Sequence, residues 1–154
     1  MLRTTLVFLL KDDKILLALK KRKFGEGKWN GVGGKLEEGE SVVDCAVREV
    51  KEEIDVDVKP GDLERVGTLH FDYKDSKDWT QECAVFFART WTGEPTESEE
   101  MKPEWYSVKN LPFENMWSDD PHWLPLVLAG KKIDARFFFE DKSGSLINFA
   151  AKEI

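Results

Sequence analysis

Three glutamates and one arginine fall within a single short segment: Arg48, Glu49, Glu52 and Glu53. On a helix turning about 100° per residue, with Val50 at the centre of the apolar face, Glu53 lies about 60° from that centre, Glu49 about 100° and Glu52 about 160°. The carboxylates therefore form one stripe that begins at the edge of the buried face. A face that is only solvated belongs opposite the core. Glu49 and Glu53 are also one turn apart, where like charges repel, and they sit near a helix C-terminus, where the dipole disfavours anions. A bound cation would offset both penalties. Carboxylates with no thiolate or imidazole among them suit a hard ion, Mg²⁺ or Mn²⁺. From these residues alone, a metal site and a solvated helix face both stay open.

The element that must position them runs from Ser41 to Ile54. Val43, Ala46, Val47, Val50 and Ile54 recur at helical spacing. Ser41 can cap this helix, with Asp44 as its capping-box partner. Ahead of it, Lys20, Lys21, Arg22 and Lys23 lead into Gly25, Gly27, Gly31, Gly33 and Gly34. Glycines at this density make a loop whose backbone can approach a ligand closely. It is not a Walker A loop, because Leu36 follows Gly34-Lys35 where Ser or Thr would stand, and it is not a G-x-G-x-x-G turn. Strands are expected over Arg3–Leu10 and Ile15–Leu19, joined as a hairpin, and over Arg65–Tyr73, Glu82–Trp91, Glu104–Val108, Ile133–Glu140 and Ser145–Ala150. A short helix is expected over Pro121–Leu128. The class is α+β (mixed α/β), a mixed β-sheet with two main helices. Its length suits a single domain over residues 1–154.

The net charge of −7 is concentrated: between Lys35 and Asp57 there are nine acids against three bases. That balance argues against binding to a nucleic acid polymer or to an anionic membrane. It leaves open nucleotides bound through metal ions. Cys45 and Cys83 form no C-x-x-C, which argues against a disulfide framework or a zinc–thiolate site. His70 and His122 show no ligand spacing and read as structural. The apolar run Leu6–Leu10 is too short for a signal peptide or a span, so a cytoplasmic location is expected. No exposed apolar stripe is evident, so a monomer is expected. Six tryptophans and ten phenylalanines in so short a chain suggest a stacking surface.

Gly34, Glu40 and the run Arg48-Glu49-Val50-Lys51-Glu52-Glu53-Ile54-Asp55-Val56 keep the fixed gaps of the Nudix box. The chain thus resembles a Nudix hydrolase. Asp55 stands where the family has a glycine that ends the helix left-handed, a conformation Asp tolerates better than most residues. A small stability effect and no loss of chemistry are expected. The resemblance implies an α/β/α sandwich and cleavage of nucleoside diphosphates linked to another group. It implies that Glu49, Glu52 and Glu53 bind Mg²⁺ and activate water, that the Gly33 carbonyl is a further ligand, and that Arg48 pairs with acids such as Glu40 or Glu49.

Three further segments, Gly27–Lys35, Glu97–Pro103 and Asn115–Asp120, are similar to the branch of that family formed by the animal MutT homologues, which hydrolyse oxidised purine nucleoside triphosphates to the monophosphate and pyrophosphate. This resemblance implies a base pocket in which Asn30 bonds the purine edge, Trp117 stacks on the ring and Asp119 and Asp120 read the remaining edge. Thr5, Lys20, Phe24, Val32, Gly33, Gly34, Lys35, Phe71, Tyr73 and Ser118 match other substrate-contact positions, and Glu100 matches an extra metal-site carboxylate. Tyr73 replaces an apolar aromatic. Taken singly, Trp117 reads as core and Asp119-Asp120 as a helix N-terminus before Pro121. Their joint occurrence beside a Nudix box carries the functional reading. Adjacent acids in a partly dry pocket raise the pKa of one of them. By changing protonation, the pair could then read both 8-oxoguanine and 2-oxoadenine. The competing readings are a Nudix hydrolase of ADP-ribose, a dinucleotide polyphosphate or an unmodified dNTP; a silent nucleotide-sensing module, which the intact glutamate set disfavours; and an acidic structural protein.

Overall fold

The computed structural model describes all 154 residues. Eight strands form one mixed sheet: β1 (Leu2–Lys11), β2 (Lys14–Lys20), β3 (Trp29–Asn30), β4 (Leu63–Tyr73), β5 (Gln81–Ala88), β6 (Met101–Ser107), β7 (Ile133–Phe139) and β8 (Leu146–Glu153). Their order is β3-β2-β1-β5-β4-β7-β8, with β6 running along β2. The β1/β5 and β4/β7 pairs are parallel and the others antiparallel. Two helices, α1 (Val42–Ile54) and α2 (Asp120–Leu128), pack on opposite faces of this sheet.

The near-continuous apolar run of β1 follows from that sandwich, because a strand covered on both faces has no polar side. Val7 and Leu9 pack with Ala46, Val50 and Ile54 of α1. Phe8 and Leu10, on the other face, pack with Trp123 and Leu124 of α2. All the elements expected from the pattern are present, with ends moved by a few residues. Two details differ. Trp29–Asn30 pairs with β2 through Leu19 and Ala18, so the glycine-rich loop contains a short strand. At the start of α1 only half of the capping box forms: Ser41 Oγ accepts from the Asp44 N–H at 3.1 Å, and Asp44 does not reach back.

Three features of this fold position the site. The hairpin strands β1 and β2 pair only near their turn, at Leu10↔Ile15 and Lys11↔Lys14. Beyond that, the Gly31–Lys35 segment runs alongside β1, bridged at Val7↔Val32 and Thr4↔Lys35. A bulge between Arg65 and Gly67 sets the β4–β5 register so that Leu69 faces Cys83 and Phe71 faces Gln81. The helix α1 ends on Asp55, which is left-handed at φ 57°, ψ 41° and donates its N–H to the Lys51 carbonyl. Its carboxylate lies 2.8 Å from Lys51 Nζ, so the departure from glycine is accommodated locally. No helix is long and apolar enough to cross a membrane.

Candidate active site

A cavity of about 220 Å³ opens between the glycine-rich loop, the strands β4 and β5, and the start of α2. Its wall includes Thr5, Lys20, Phe24, Asn30, Gly33, Gly34, Phe71, Tyr73, Trp117, Asp119 and Asp120, as expected from the sequence. Gln81, Cys83, Met101, Lys28 and Phe139 also line it and were not anticipated. Strand alternation with cross-strand register would have found two of these, since Gln81 and Cys83 sit opposite Phe71 and Leu69. That register depends on the bulge. Phe139 enters because β7 runs parallel to β4 with Phe139 beside Tyr73.

Three expected positions lie off the cavity wall. Val32 is buried in the core under α1, because its bridge to Val7 turns the side chain that way. Lys35 places its Nζ over the Trp79 ring at 4.6 Å. Ser118 donates its hydroxyl to the Gly144 carbonyl and so ties two loops together.

The cavity's polar groups are held in defined directions. Asn30 Oδ1 accepts from the Gly31 N–H at 2.8 Å, which leaves the amide hydrogens free to donate. Trp117 is stacked on Phe24, with ring centroids 5.1 Å apart. Asp119 and Asp120 are only 4% and 2% exposed. Trp123 Nε1 donates to Asp119 Oδ2 at 2.8 Å, whereas Asp120 Oδ2 is buried with no partner. Burial raises the pKa of Asp119, and the Trp123 N–H draws it part of the way back. Asp120 is raised well above the usual range, by burial first and then by the neighbouring Asp119 charge. The pair therefore holds a proton that an exposed pair would release.

On its other side the cavity meets α1. A Cβ on Gly34 would lie 2.6 Å from Glu49 Oε1, and one on Gly33 would lie 1.9 Å from the Thr5 carbonyl oxygen. At Gly33 only glycine allows this approach, and at Gly34 a side chain would displace the Glu49 carboxylate, so little more than one backbone separates the cavity from the helix carboxylates. The stripe grades outward as the helical projection requires: the Glu53 residue is 8% exposed, and the Glu49 and Glu52 side chains are 12% and 56% exposed. Arg48 ties Glu49 and Glu52 to Glu40. Its Nε and Nη2 donate to Glu40 at 2.7 and 2.9 Å, its Nη1 to Glu49 at 2.9 Å and Glu52 at 3.1 Å, and its Nη2 to the Lys35 carbonyl at 3.1 Å. The hydrogen bonds from Arg48 lower the Glu40 carboxyl to about 2. Glu53 is different: its Oε2 is buried without a partner, and burial, then the Glu49 charge, push its carboxyl up.

No three of these carboxylates stand together as a finished coordination sphere. The donor chemistry nonetheless fits a hard divalent ion, because a cation beside Glu49 would satisfy the orphaned Glu53 oxygen and offset the Glu49 charge that adds to burial in raising its pKa. Glu100 is engaged elsewhere, accepting from Arg22 at 2.6 and 2.9 Å with Lys20 Nζ at 3.7 Å.

Residues 1–127 match the family model of the NUDIX domain. The chain belongs to the Nudix family. Within it, the chain is 40% identical over 150 residues to the oxidized purine nucleoside triphosphate hydrolase of Mus musculus, covering 97% of this chain and 94% of that protein. It is 39% identical over 136 residues to the protein of the same name from Danio rerio, covering 88% and 85%. Among solved structures, the MutT protein of Bacillus halodurans superposes with a TM-score of 0.82 at 25% identity, covering 99% of this chain and 98% of that one. The chain is therefore a Nudix hydrolase with the Nudix sandwich, and acts on small nucleotide substrates, as the family does with the help of divalent metal ions.

Proposed function

We propose that this Nudix hydrolase is Mg²⁺-dependent and cleaves oxidised purine nucleoside triphosphates, 8-oxo-dGTP and 2-oxo-dATP, to the monophosphate and pyrophosphate. The observation that carries this reading is the pair Asp119 and Asp120, buried side by side in a cavity whose wall also includes Trp117. A carboxyl that keeps its proton donates a hydrogen bond, whereas an ionised one only accepts. An oxidised purine differs from its parent in the donors and acceptors at its edge, and that is what such a pair reads. The names of the mouse and zebrafish relatives support the same substrate class.

In this reading Trp117 stacks on the purine, a contact worth ~1–3 kcal/mol per base. Asn30 donates its amide to the base edge, and Phe71, Tyr73 and Thr5 close the wall. The phosphates pass Gly33 and Gly34, where no side chain stands in the way, toward Glu49 and Glu53. Glu49, Glu52, Glu53 and the Gly33 carbonyl would hold the metal. A bound divalent ion neutralises phosphate charge and makes water a better nucleophile. Arg48 keeps Glu49 and Glu52 aimed through its hydrogen bonds, and Lys20 sets a positive charge between cavity and helix. Glu100 joins the metal set only if it leaves Arg22.

We further propose a monomer acting in the cytoplasm, where it would remove oxidised nucleotides before they enter DNA. All of these groups come from one chain, and two free, buried thiols suit a reducing compartment. The test is a panel of 8-oxo-dGTP, 2-oxo-dATP, dGTP and ADP-ribose with Mg²⁺. The two oxidised substrates should show the highest kcat/KM. Equal values for dGTP and 8-oxo-dGTP would overturn the assignment.

A further inference from the structure

Tyr73 ends β4 and lines the cavity, where it is only 8% exposed. Its ring is held against Phe139, with centroids 5.3 Å apart and planes 20° apart. Its hydroxyl bonds to no protein group, yet it is not among the unpartnered polar atoms sealed from the surface, which are Glu53 Oε2, Trp79 Nε1 and Asp120 Oδ2. It therefore opens on the cavity. Burial first, then the Asp119 charge and the Cys83 thiol, both in the same wall, raise its pKa, so the phenol keeps its proton. A hydroxyl withdrawn from water without a new partner is destabilising. A ligand atom in the cavity would supply the missing bond.

The neighbouring acid pair decides which atom. Asp119 takes the Trp123 N–H, which favours its ionised form, whereas the Asp119 charge disfavours ionisation of Asp120. The shared proton thus sits on Asp120, and Asp119 accepts. The wall sets an acceptor, the Asp119 carboxylate, near a donor, the Tyr73 O–H. Oxidation creates the matching pair on a purine. In guanine, N7 is a bare acceptor beside C8–H. In 8-oxoguanine, N7 carries a hydrogen and C8 an oxygen. Adenine changes in the same sense at N1 and C2 when it becomes 2-oxoadenine in its lactam form. Both lesions present an N–H beside a C=O, and both parents would set a lone pair against the carboxylate there.

We propose that Tyr73 is a specificity-determining residue whose hydroxyl donates to the oxygen that oxidation adds to the purine, while Asp119 accepts the adjacent ring N–H. This rests on the reading above in that the cavity holds an oxidised purine.

The test is calorimetric titration in chelator with 8-oxo-dGMP, dGMP, 2-oxo-dAMP and dAMP. Wild-type protein should bind each oxidised base more tightly than its parent. Tyr73→Phe removes one oxygen and keeps the ring. Affinity for the two oxidised nucleotides should then fall about 5–10-fold, the worth of one hydrogen bond, while dGMP and dAMP stay within about twofold. The Tm of Tyr73→Phe should not drop, because the hydroxyl holds nothing in the protein; a lower Tm with equal losses for all four ligands would mean a structural role and overturn the proposal. Equal losses for 8-oxo-dGMP and dGMP alone would place the hydroxyl on the N1–O6 edge that every guanine carries, and would overturn it too, as would oxidised-base affinities that survive the substitution. Failure of the oxidised-purine reading registers separately, as a wild-type protein with no preference for either oxidised base, and takes the proposal with it.

Discussion

Two acidic groups in this protein are made of the same chemistry and have carboxyl pKa values pushed in opposite directions. On α1, Arg48 lies within hydrogen-bond reach of Glu40, Glu49 and Glu52, and Glu40 is pulled down to about 2. At the cavity, Asp119 and Asp120 have an indole N–H for company and no cation, and both are raised. The number of carboxylates does not decide the difference; the compensating charge does. A carboxylate beside a guanidinium stays ionised, and one buried without a cation keeps its proton. The first arrangement suits a divalent ion. The second suits the edge of a purine. Glu53 stands between them, on the helix yet buried and unpartnered, which is why it is the position most in need of a metal.

The largest effect should come from that position. Glu53→Gln keeps the shape and removes the charge, and turnover of 8-oxo-dGTP should fall on the order of 10³-fold. Binding of 8-oxo-dGMP in chelator should stay within about twofold of wild type. Near-normal turnover would break the division between a metal-binding helix and a base-reading cavity. Arg48→Gln comes next. Loss of a positioning group of this kind costs about 10–100-fold, and it should appear as a lower kcat with a raised Mg²⁺ half-saturation, partly restored by Arg48→Lys. A loss of monophosphate affinity instead would mean that Arg48 serves the cavity.

Asp120→Asn probes the other side through stability. In the folded state Asp120 keeps a proton that the unfolded chain releases above about pH 4. Between that pH and its raised folded value the native state binds more protons than the unfolded one, so wild-type stability falls as pH rises. The neutral amide lacks this dependence. The Tm of Asp120→Asn should therefore gain on wild type between pH 4 and 7, by roughly 2–4 °C, while affinity for 8-oxo-dGMP drops. A Tm difference that does not move with pH would show that Asp120 is ionised in the folded protein. The smallest effect belongs to Asp55→Gly. Relief of a left-handed non-glycine residue, less the lost contact with Lys51, should raise Tm by roughly 1–2 °C with kcat unchanged.

The helix and its chemistry were legible in the chain because they are local. Ser41 to Ile54 carries its own period, cap and end, so the grading from Glu53 through Glu49 to Glu52 followed from about 100° per residue. The strands were readable for the same reason. The left-handed turn at Asp55 was implied by the resemblance, since the family has a glycine there and Asp tolerates that conformation. Trp117, Asp119 and Asp120 could be named only because they occur together beside the box; each alone reads as core or helix start. Val32, Lys35 and Ser118 were assigned to the pocket by position, and their side chains point elsewhere.

What the tertiary structure alone decided is what faces what. Cys83 and Gln81 reach the cavity through a register fixed by a bulge in β4, and Phe139 through a parallel pairing with no local signature. Lys35 and Lys142, more than a hundred residues apart, meet on Trp79. The proton on the aspartate pair depends on burial, which is a property of the surroundings of those residues and not of their identity. Spacing along a helix fixes angles within it, so the sequence by itself determined the acidic stripe. Desolvation depends on every element packed around a group, so only the folded chain decided which acids stay charged.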